Sequence, residues 1–470
     1  MRRDETRVPE VDFASVTPEL LQRYDRPGPR YTSYPTAPQF HTGFAGDDYR
    51  AALERASRRP NDPLSLYVHI PFCEARCSYC GCSVVISPHR GPEERYLEAV
   101  ERELDMVASE LGGRRTLNQL HWGGGTPTYL TPDQTRRLFR IITSRFTLAP
   151  GAEVAIEVDP CVTCDEHLEA LRELGFNRIS LGVQDLDPRV QEAVRRVQPL
   201  ELTARMVDRS RELGFASVNI DLIYGLPYQT AGSFADTVDR IVERLAPDRV
   251  AVFSYAHVPW IKPHQKELEG MPLPRGWEKF TIFAAAAERF LAAGYRFIGM
   301  DHFAKPGDEL TRALDAGTLH RNFMGYTVQP ATDQIGVGVT SIGDVAGAYV
   351  QNEKNLGRYE KSVEAGRLPV ERGILRTAED DLRGAVIRRL ISTFRLDFGW
   401  VRDRFGEDAA TLFAPELEVL RGFEKDGLVA VGDDGVTVLP RGRVFIRNIC
   451  MPFDTYLRRD TGKPLYSRTI

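Results

Sequence analysis

The fold and the chemistry of this chain are decided by the stretch Leu64-Ser65-Leu66-Tyr67-Val68-His69-Ile70-Pro71-Phe72-Cys73-Glu74-Ala75-Arg76-Cys77-Ser78-Tyr79-Cys80-Gly81-Cys82. Its first seven residues are mostly apolar on both faces, which is typical of a strand buried in a parallel sheet. Four of the seven cysteines of the chain follow within ten residues. In a chain of 470 residues, such a cluster favours metal binding or redox chemistry over a disulfide framework.

Three of these cysteines, Cys73, Cys77 and Cys80, have the spacing CxxxCxxC. Three thiolates on one short loop can hold three irons of a [4Fe–4S] cluster and leave the fourth iron open to a small molecule. The alternatives fit less well, because zinc sites use four ligands and a thioredoxin-type site needs a single CxxC. The other pair, Cys161 and Cys164, lies after a different strand, and we interpret it as two incidental thiols rather than a second metal site.

Short apolar runs alternate with amphipathic helices between residues 64 and 300. The predicted strands are Leu64–Ile70, Leu117–Trp122, Val154–Val158, Arg178–Val183, Val218–Tyr224, Val250–Tyr255 and Phe297–Met300. The predicted helices are Glu93–Leu111, Asp133–Phe146, Asp165–Leu174, Thr203–Leu213, Phe234–Leu245 and Glu278–Ala293. Six or seven such units indicate an α/β fold with a full or partial (β/α) barrel, with a doubly wound sheet as the alternative. In either fold, ligands bind at the carboxyl ends of the strands.

Two regions lie outside this repeat. Residues 28–36 are too rich in proline and turn-forming residues for a helix. Beyond residue 370, two helical stretches (Asp380–Thr393 and Pro415–Lys425) precede two strand-like runs (Leu428–Val431 and Val436–Leu439), which predicts a small, mostly helical, winged-helix-like domain. The predicted division is an N-terminal extension (1–60), a catalytic barrel (61–345) and a C-terminal domain (346–470).

The composition excludes several classes of protein. With 42% apolar and 27% charged residues, the chain can form a large core. Acidic side chains exceed basic ones by 66 to 61, and the net charge of −5 argues against a generic nucleic-acid binder. The apolar runs are far shorter than the roughly 18 residues of a membrane span, and the first residues lack the apolar stretch of a signal peptide. We therefore expect a cytoplasmic enzyme without a membrane or nucleic-acid partner.

The CxxxCxxC loop after the first strand and the turn Gly-Gly-Gly-Thr-Pro (123–127) after the second resemble the radical S-adenosylmethionine (SAM) superfamily. Further motifs resemble its oxygen-independent coproporphyrinogen III oxidase family, from about residue 20 to the C-terminus. These motifs are GPRYTSYPTA (28–37), CxxxCxxCxC (73–82), NIDLIYGLP (219–227), GMDHF (299–303), HRNF (320–323) and RNICM (447–451). The related haem chaperones share the core but usually lack the first motif and the CxC.

The resemblance implies a reduced [4Fe–4S] cluster that cleaves SAM, and a 5′-deoxyadenosyl radical that abstracts hydrogen from the substrate. Two propionates of coproporphyrinogen III would be oxidatively decarboxylated to vinyls, which gives protoporphyrinogen IX in haem biosynthesis. We expect a monomer and an external electron donor of the flavodoxin or ferredoxin kind. The alternatives are a haem chaperone or haem-degrading enzyme of the same superfamily and, from another class, a metal-bearing regulator that binds nucleic acid.

The resemblance also implies roles for individual residues. The cluster ligands of the family match Cys73, Cys77 and Cys80. Contacts to the cluster-bound SAM are implied for Tyr67, Gly124, Gly125, Thr126, Glu157 and Ile342. Contacts to a second SAM are implied for Tyr79, Gln184, Arg196, Asp221 and Ala256. Catalytic roles are implied for Tyr67, Glu157, Phe323 and Ile342.

The chemistry of these residue types suits such ligands. Glycines let the backbone approach the methionine part of SAM, where a Cβ would collide. A guanidinium such as Arg196 can bind a carboxylate in a fork, and Asp221 can bind an ammonium. Arg196 lies in the basic run Val194-Arg195-Arg196, and the alternative interpretation is that it belongs to a solvated helix face without a binding role.

Four further residues distinguish this chain or its substrate site. Cys82 is expected near the cluster without binding iron, because a fourth ligand would close the open iron. Arg30 and Arg321 lie beside aromatic residues and are candidates for binding substrate propionates. Met324 replaces a glutamine that is common in the family motif, and methionine offers only a weak hydrogen-bond acceptor in its place.

Overall fold

The computed structural model describes residues 10–329, 331–458 and 466–469, so the start of the predicted N-terminal extension and part of the end of the predicted C-terminal domain lie outside the described residues. The strands are β1 (Leu64–Ile70), β2 (Phe72–Cys73), β3 (Val85–Ile86), β4 (Thr116–Gly124), β5 (Thr147–Val158), β6 (Arg178–Gln184), β7 (Ser217–Tyr224), β8 (Arg249–Ser254), β9 (Arg296–Gly299), β10 (His302–Ala304), β11 (His320–Asn322), β12 (Gly325–Thr327), β13 (Asp333–Val337), β14 (Ile342–Val345), β15 (Ala348–Asn352), β16 (Val370–Leu375), β17 (Arg395–Asp397), β18 (Val429–Val431) and β19 (Gly435–Val438). The α-helices are α1 (Pro18–Tyr24), α2 (Gly46–Ser57), α3 (Pro92–Leu111), α4 (Pro132–Thr143), α5 (Asp165–Glu173), α6 (Pro188–Ala193), α7 (Leu200–Glu212), α8 (Ala231–Arg240), α9 (Gly276–Ala292), α10 (Glu309–Asp315), α11 (Leu356–Glu364), α12 (Ala378–Thr393), α13 (Phe398–Phe405), α14 (Ala409–Leu412), α15 (Ala414–Lys425) and α16 (Ile446–Cys450).

Twelve of these strands form one open sheet in the order β16-β15-β14-β13-β1-β4-β5-β6-β7-β8-β10-β9. The central strands β13, β1 and β4 to β8 run parallel to one another. The outer strands at both ends run antiparallel. Because β1 and β4 to β8 are neighbours in the order in which they occur in the chain, with at least one helix between each pair, the predicted partial (β/α) barrel is confirmed.

Six of the seven predicted strands are consecutive parallel strands of this sheet. The seventh, predicted at Phe297–Met300, corresponds to β9, but β9 is not a parallel neighbour of β8. The chain turns back at Met300, whose φ is 52°, and β10 lies between β8 and β9 as an antiparallel strand. The seventh parallel strand is instead β13, which pairs with β1 and was not predicted from the sequence.

Helix α3 shows why the predicted helices agree with the structure. Pro92 occupies the first turn, where its missing N–H costs no hydrogen bond. The helix ends at Leu111 and is capped by Gly112, which adopts a φ of 56°. The face that the 3.6-residue periodicity predicts is fully buried and comprises Leu97, Val100, Leu104, Val107 and Leu111.

The terminal regions flank the sheet. No helix forms over residues 28–36, as predicted from their composition. Strands β15 and β16 extend the sheet beyond the predicted boundary at residue 345, and that division stays a prediction. Helices α12 and α15 and the antiparallel sheet β17-β19-β18 match the predicted helices followed by a hairpin. Among the described helices, none combines the length and apolar composition that a membrane crossing requires.

Candidate active site

The strand register brings the predicted site residues to one edge of the sheet. Strand β1 pairs with β4 so that Tyr67 lies opposite His121 and Ile70 lies opposite Gly124. The cysteine loop that follows β1 therefore lies beside the glycine turn that follows β4. Strands β5, β6 and β7 end at the same edge and carry the predicted polar residues, since the carboxyl ends of parallel strands meet there.

Each of the three cysteines of the loop has a donor group near its sulfur. The Thr126 Oγ1 lies 3.4 Å from the Cys73 Sγ, and the Arg196 Nη1 lies 3.8 Å from the Cys77 Sγ. The Cys82 thiol hydrogen-bonds to the Cys80 sulfur and lowers the pKa of Cys80. All of these thiols are free of disulfides. Three thiols on one loop with donors around them fit an anionic iron–sulfur cluster, whose sulfurs are stabilised by such hydrogen bonds.

The other cysteine pair is not part of this arrangement. Cys161 is exposed, and its Sγ lies 3.7 Å from the Val197 carbonyl oxygen. The Cys164 Sγ lies 3.0 Å from the His167 Nδ1. Within the described part of the chain, no group of three or more His, Cys, Asp or Glu side chains is arranged to hold a single metal ion.

The glycine turn is tightly packed against the cysteine loop. Its backbone N–H groups at Gly125 and Thr126 donate to the carbonyls of Ile70 and Phe72, at 2.8 and 2.9 Å. A Cβ at Gly124 would lie 2.6 Å from the His69 ring, and one at Gly125 would lie 2.6 Å from the Pro71 carbonyl oxygen. Contacts within the protein therefore already require glycine here, before any ligand is considered.

A hydrogen-bonded group surrounds Glu157 at the end of β5. Its carboxylate accepts from the Gly124 N–H at 3.1 Å and pairs with the His121 Nε2 at 3.2 Å. Although burial opposes ionisation, these interactions lower the pKa of Glu157 below its ordinary value. Glu157 is therefore a carboxylate at neutral pH, available to a hydroxyl or an ammonium group.

Sequence reasoning missed the two histidines beside Tyr67. The Tyr67 hydroxyl lies 3.0 Å from the His69 Nδ1, and its ring stacks on His121 with centroids 5.9 Å apart. Burial raises the pKa of Tyr67 well above its ordinary value, so the phenol keeps its proton. The signal that could have identified His69 is its position two residues after Tyr67, because such residues share one face of a strand.

Asp221 on β7 forms a second carboxylate centre. Its oxygens accept from the Ser180 hydroxyl at 2.9 Å and from the Asn219 side-chain amide at 2.8 Å. Burial, reinforced by the nearby charge of Glu157, raises the pKa of Asp221 to about 6. Gln184 lies on the neighbouring strand, at the end of β6, with a φ of 69°.

Arg196 is buried, whereas Arg195 is 68% exposed along its side chain. The terminal nitrogens of Arg196 donate to the Asp159 carboxylate and the Gly182 carbonyl, both at 2.8 Å. Its Nε is buried without a hydrogen-bond partner among the described residues. The solvated-face interpretation of Arg196 is therefore wrong, and Nε is a buried donor that remains for a ligand. The sequence contained no signal for Asp159 as its partner.

The remaining predicted residues are more dispersed. Ala256 follows β8, and Ile342 begins β14 on the other side of β1. Phe323 lies in the turn between β11 and β12 and packs edge-to-face on Tyr349, with centroids 5.8 Å apart. Tyr79 lies beside Arg196 and Cys77, and burial raises the pKa of its phenol.

Met324 lines an interior cavity of about 160 Å³ together with Glu157 and Asp221. The structure therefore brings the one departure from the family motif to the same cavity as both carboxylates. We use the term strand-end cluster below for Tyr67, Glu157, Asp221, Arg196 and the three cysteines Cys73, Cys77 and Cys80.

The two candidate propionate-binding arginines differ in whether their guanidinium groups already have partners in the protein. Arg30 forms an ion pair with Asp301 and lies over the Phe253 ring. Arg321 is 9% exposed and lies over the Tyr326 ring at 4.8 Å from its centroid. Its Nε and Nη1 are buried without hydrogen-bond partners among the described residues. Arg321 therefore has donors left for an anion, whereas Arg30 is already paired.

Comparison with known proteins agrees with this geometry. Residues 67–241 match the radical SAM superfamily. The chain is 44% identical to an oxygen-independent coproporphyrinogen III oxidase of Synechocystis, over 99% of this chain and 100% of that protein. It is 45% identical to the enzyme of the same name from Escherichia coli, over 96% and 98%.

A solved structure is similar over almost the whole fold. The coproporphyrinogen III oxidase from Escherichia coli, described as a radical SAM enzyme, superposes with a TM-score of 0.89 at 43% identity. The match covers 95% of this chain and 100% of that one. With the three cysteines, the glycine turn and the strand-end carboxylates at one edge of the sheet, the chain belongs to the oxygen-independent coproporphyrinogen III oxidase family of radical SAM enzymes.

Proposed function

We propose that this enzyme oxidatively decarboxylates two propionates of coproporphyrinogen III to vinyls and so forms protoporphyrinogen IX. The observation that supports this most strongly is the 44% identity to a named oxidase over 99% of the chain. Each propionate, –CH2CH2COO⁻, becomes –CH=CH2 and releases carbon dioxide, one hydrogen atom and one electron. The reaction therefore needs an external electron acceptor as well as a hydrogen-atom acceptor.

The residues present fit the cofactors of this family, a [4Fe–4S] cluster and SAM. When bound, they supply the one-electron cleavage that begins hydrogen abstraction from carbon. We assign Cys73, Cys77 and Cys80 to the cluster, with Cys82 as a hydrogen-bond donor to Cys80 rather than a ligand. The contacts to the cluster-bound SAM are assigned to Tyr67, Gly124, Gly125, Thr126, Glu157 and Ile342. Those to a second SAM are assigned to Tyr79, Gln184, Arg196, Asp221 and Ala256.

Apart from the three cysteines, the side chains of the strand-end cluster would bind and orient SAM rather than form covalent bonds with it. Glu157 is ionised and can accept a hydrogen bond from a ribose hydroxyl or an ammonium. Asp221 is largely ionised at neutral pH and can pair with an ammonium. The Arg196 Nε can donate to a carboxylate. Tyr67 and Phe323 would exclude water from the reacting carbon, together with Ile342.

We further propose a cytoplasmic monomer that receives electrons from a flavodoxin- or ferredoxin-like protein. All seven cysteines are free, as is typical of proteins in reducing compartments. The net charge of −5 gives no support to a nucleic-acid partner.

A second candidate function rests on Met324 alone. If the interior cavity has been adapted to another tetrapyrrole, the protein would be a haem chaperone or a haem-degrading enzyme of the same superfamily. Methionine there removes an amide that could bond to a ligand beside Glu157 and Asp221.

Anaerobic turnover separates the two functions. The assay combines reconstituted protein, a reductant, SAM and coproporphyrinogen III. It should give carbon dioxide and vinyl-bearing porphyrinogens, and the latter are oxidised to porphyrins and separated by chromatography. The Cys77→Ala protein is the control and should give neither. SAM cleavage without release of carbon dioxide would contradict the oxidase function and favour the second candidate.

A further inference from the structure

A cavity of about 790 Å³ lies between the end of α1, the segment after β8 and the start of α9. This volume lies within the range of about 300–1,000 Å³ that is typical of small-molecule sites. Its walls come from these three segments and from residues 466–468, and include Leu21, Asp25, Tyr255, Ala256, Trp260, Leu273, Arg275, Trp277, Lys279 and Arg468. We call it the Lys279 cavity.

Lys279 gives this cavity a partly buried cation, which lies over the Tyr224 ring at 5.5 Å from its centroid. Its Nζ donates to the Tyr255 carbonyl at 2.9 Å, the one hydrogen-bond acceptor it has in the described part of the chain. An ammonium carries three donors, so two remain for a ligand. Burial, together with the nearby charge of Arg30, lowers the pKa of Lys279 to about 8. An anion in the cavity would stabilise the charged form.

Asp25 gives the same cavity an unsatisfied acceptor. Its Oδ2 accepts from the Arg468 Nε at 2.6 Å. Its Oδ1 is buried without a hydrogen-bond partner among the described residues, and the side chain is only 9% exposed. A buried acceptor of this kind costs free energy until a donor meets it. The cavity therefore suits a ligand with an N–H or O–H donor as well as an anionic group.

The remaining walls are flat and apolar. Trp260 is 57% exposed and Trp277 is 39% exposed, although indole rings are usually well covered in folded proteins. Leu21 and Leu273 add aliphatic surface, and Arg275 adds a second cation. Exposed aromatic rings next to cations suit a large planar or saucer-shaped ligand with carboxylates at its rim.

We propose that the Lys279 cavity binds the tetrapyrrole substrate, with Lys279 and Arg275 bound to a propionate and Asp25 accepting from a pyrrole N–H. Trp260 and Trp277 would pack on the macrocycle. This inference rests on the proposed function, which supplies a substrate with four propionates and four pyrrole N–H groups. Ala256, assigned above to the second SAM, lines the same cavity, so that substrate and SAM would share a wall.

The amino-acid end of SAM also combines a carboxylate with an N–H donor. We favour the tetrapyrrole because a ligand of that size can fill the cavity and cover both tryptophans. Titration with SAM is therefore a separate arm of the experiment.

The test uses the reconstituted full-length enzyme and measures equilibrium binding of coproporphyrin III by quenching of tryptophan fluorescence. Etioporphyrin, which has the same ring without carboxylates, is the ligand control. Lys279→Met should weaken coproporphyrin binding about ten- to a hundredfold, as expected for a lost charge-assisted contact. Lys279→Arg should retain most of the affinity. The exposed Lys361→Met on α11 is the matched control and should bind as the wild type.

Two further variants keep the test decisive if Lys279→Met does not fold. Asp25→Asn should weaken binding of coproporphyrinogen III, whose reduced ring can turn a pyrrole N–H outward, measured anaerobically by displacement of coproporphyrin III, and Trp277→Phe should remove part of the quenching. Unchanged coproporphyrin affinity in the Lys279 variants together with unchanged coproporphyrinogen affinity in Asp25→Asn would overturn the assignment, as would a loss of SAM binding with normal porphyrin binding. Wild-type turnover distinguishes a failure of the cavity assignment from a failure of the proposed oxidase function. Vinyl products with unchanged variant affinities would refute the cavity alone, and Lys279-dependent binding without vinyl products would refute the function alone.

Discussion

The strand-end cluster and the Lys279 cavity both lie near the carboxyl ends of parallel strands, but they differ in how many of their polar groups already have hydrogen-bond partners. Glu157 and Asp221 each have two hydrogen-bond partners within the protein. In the cavity, one oxygen of Asp25 is unpartnered and Lys279 has one acceptor. The first site is organised before its ligands bind, whereas the second is completed by its ligand. Variants should therefore affect cofactor retention in the first site and ligand affinity in the second.

The largest effect should follow from removal of a cluster ligand. Cys73→Ala, Cys77→Ala or Cys80→Ala should abolish the iron–sulfur cluster and all SAM cleavage, because the loop offers only one thiolate for each of the three irons that the protein holds. Iron and sulfide analysis of anaerobically reconstituted protein and its visible absorption measure the loss.

Cys82→Ala is the matched control within the same loop. It should keep about four irons per chain, since Cys82 acts as a donor to Cys80 rather than a ligand. A Cys82→Ala protein without iron, beside a Cys80→Ala protein that binds it, would reverse the ligand assignment.

A buried acid outside both sites has all of its hydrogen bonds within the protein. Glu103 on α3 accepts from the Tyr359 hydroxyl, the Gly338 N–H and the Asn352 amide, at 2.6, 2.8 and 2.6 Å. Burial nevertheless raises the pKa of Glu103 to about 7. The folded state therefore holds this proton more tightly than the unfolded state, and the stability this confers is lost as pH rises from about 4.5 to 7.

Glu103→Gln should remove this pH dependence. Between pH 5 and 8, the wild type should lose about 2–3 kcal/mol of unfolding free energy relative to the variant. Urea unfolding at both pH values measures the difference. The exposed Glu98→Gln on the same helix is the control and should follow the wild type. Parallel curves for wild type and Glu103→Gln would show that the carboxyl is ionised throughout.

A smaller effect is expected at Arg196. Arg196→Ala should weaken one of two SAM sites about ten- to a hundredfold, which corresponds to about 1.5–3 kcal/mol for a buried charged contact. The cluster-bound SAM should remain. Arg195→Ala removes an adjacent but exposed guanidinium and should leave both sites intact. Titration of reconstituted wild type that saturates at one SAM per chain would contradict the two-site assignment.

The smallest effect should come from Met324→Gln. The two side chains have similar lengths, and Met324 faces the cavity that Glu157 and Asp221 line. An amide there can hydrogen-bond, so the variant should form vinyl product at the wild-type rate or a few times faster, in an anaerobic product assay. A wild type that cleaves SAM but decarboxylates nothing, and a variant that does not restore the reaction, would count against the oxidase.

Within the strand-end cluster, the three cysteines and the strands were accessible from the sequence because their determinants are local, whereas the roles of Tyr67, Glu157, Asp221 and Arg196 were implied by the family resemblance. The cysteine spacing lies within ten residues, and each strand that carries a site residue has its own apolar pattern. The pairing of Arg196 with Asp159 was not accessible, since the two residues belong to different βα units and meet only through the sheet. The position of β10 between β8 and β9 was missed for the same reason, because pairing partners are not encoded in a single strand.

By itself, the sequence determined the six consecutive βα units, the cysteine loop and the glycine turn, since periodicity and spacing act over a few residues. Only the tertiary structure decided which polar groups have partners. It shows that Gly124 and Gly125 are required by His69 and Pro71 before any ligand binds. It also brings Asp25, Tyr255, Lys279 and Arg468 around one cavity from the N-terminal, central and C-terminal parts of the chain. Burial and hydrogen bonding depend on neighbours that are distant in the chain, and these decide the charge and the function of each side chain.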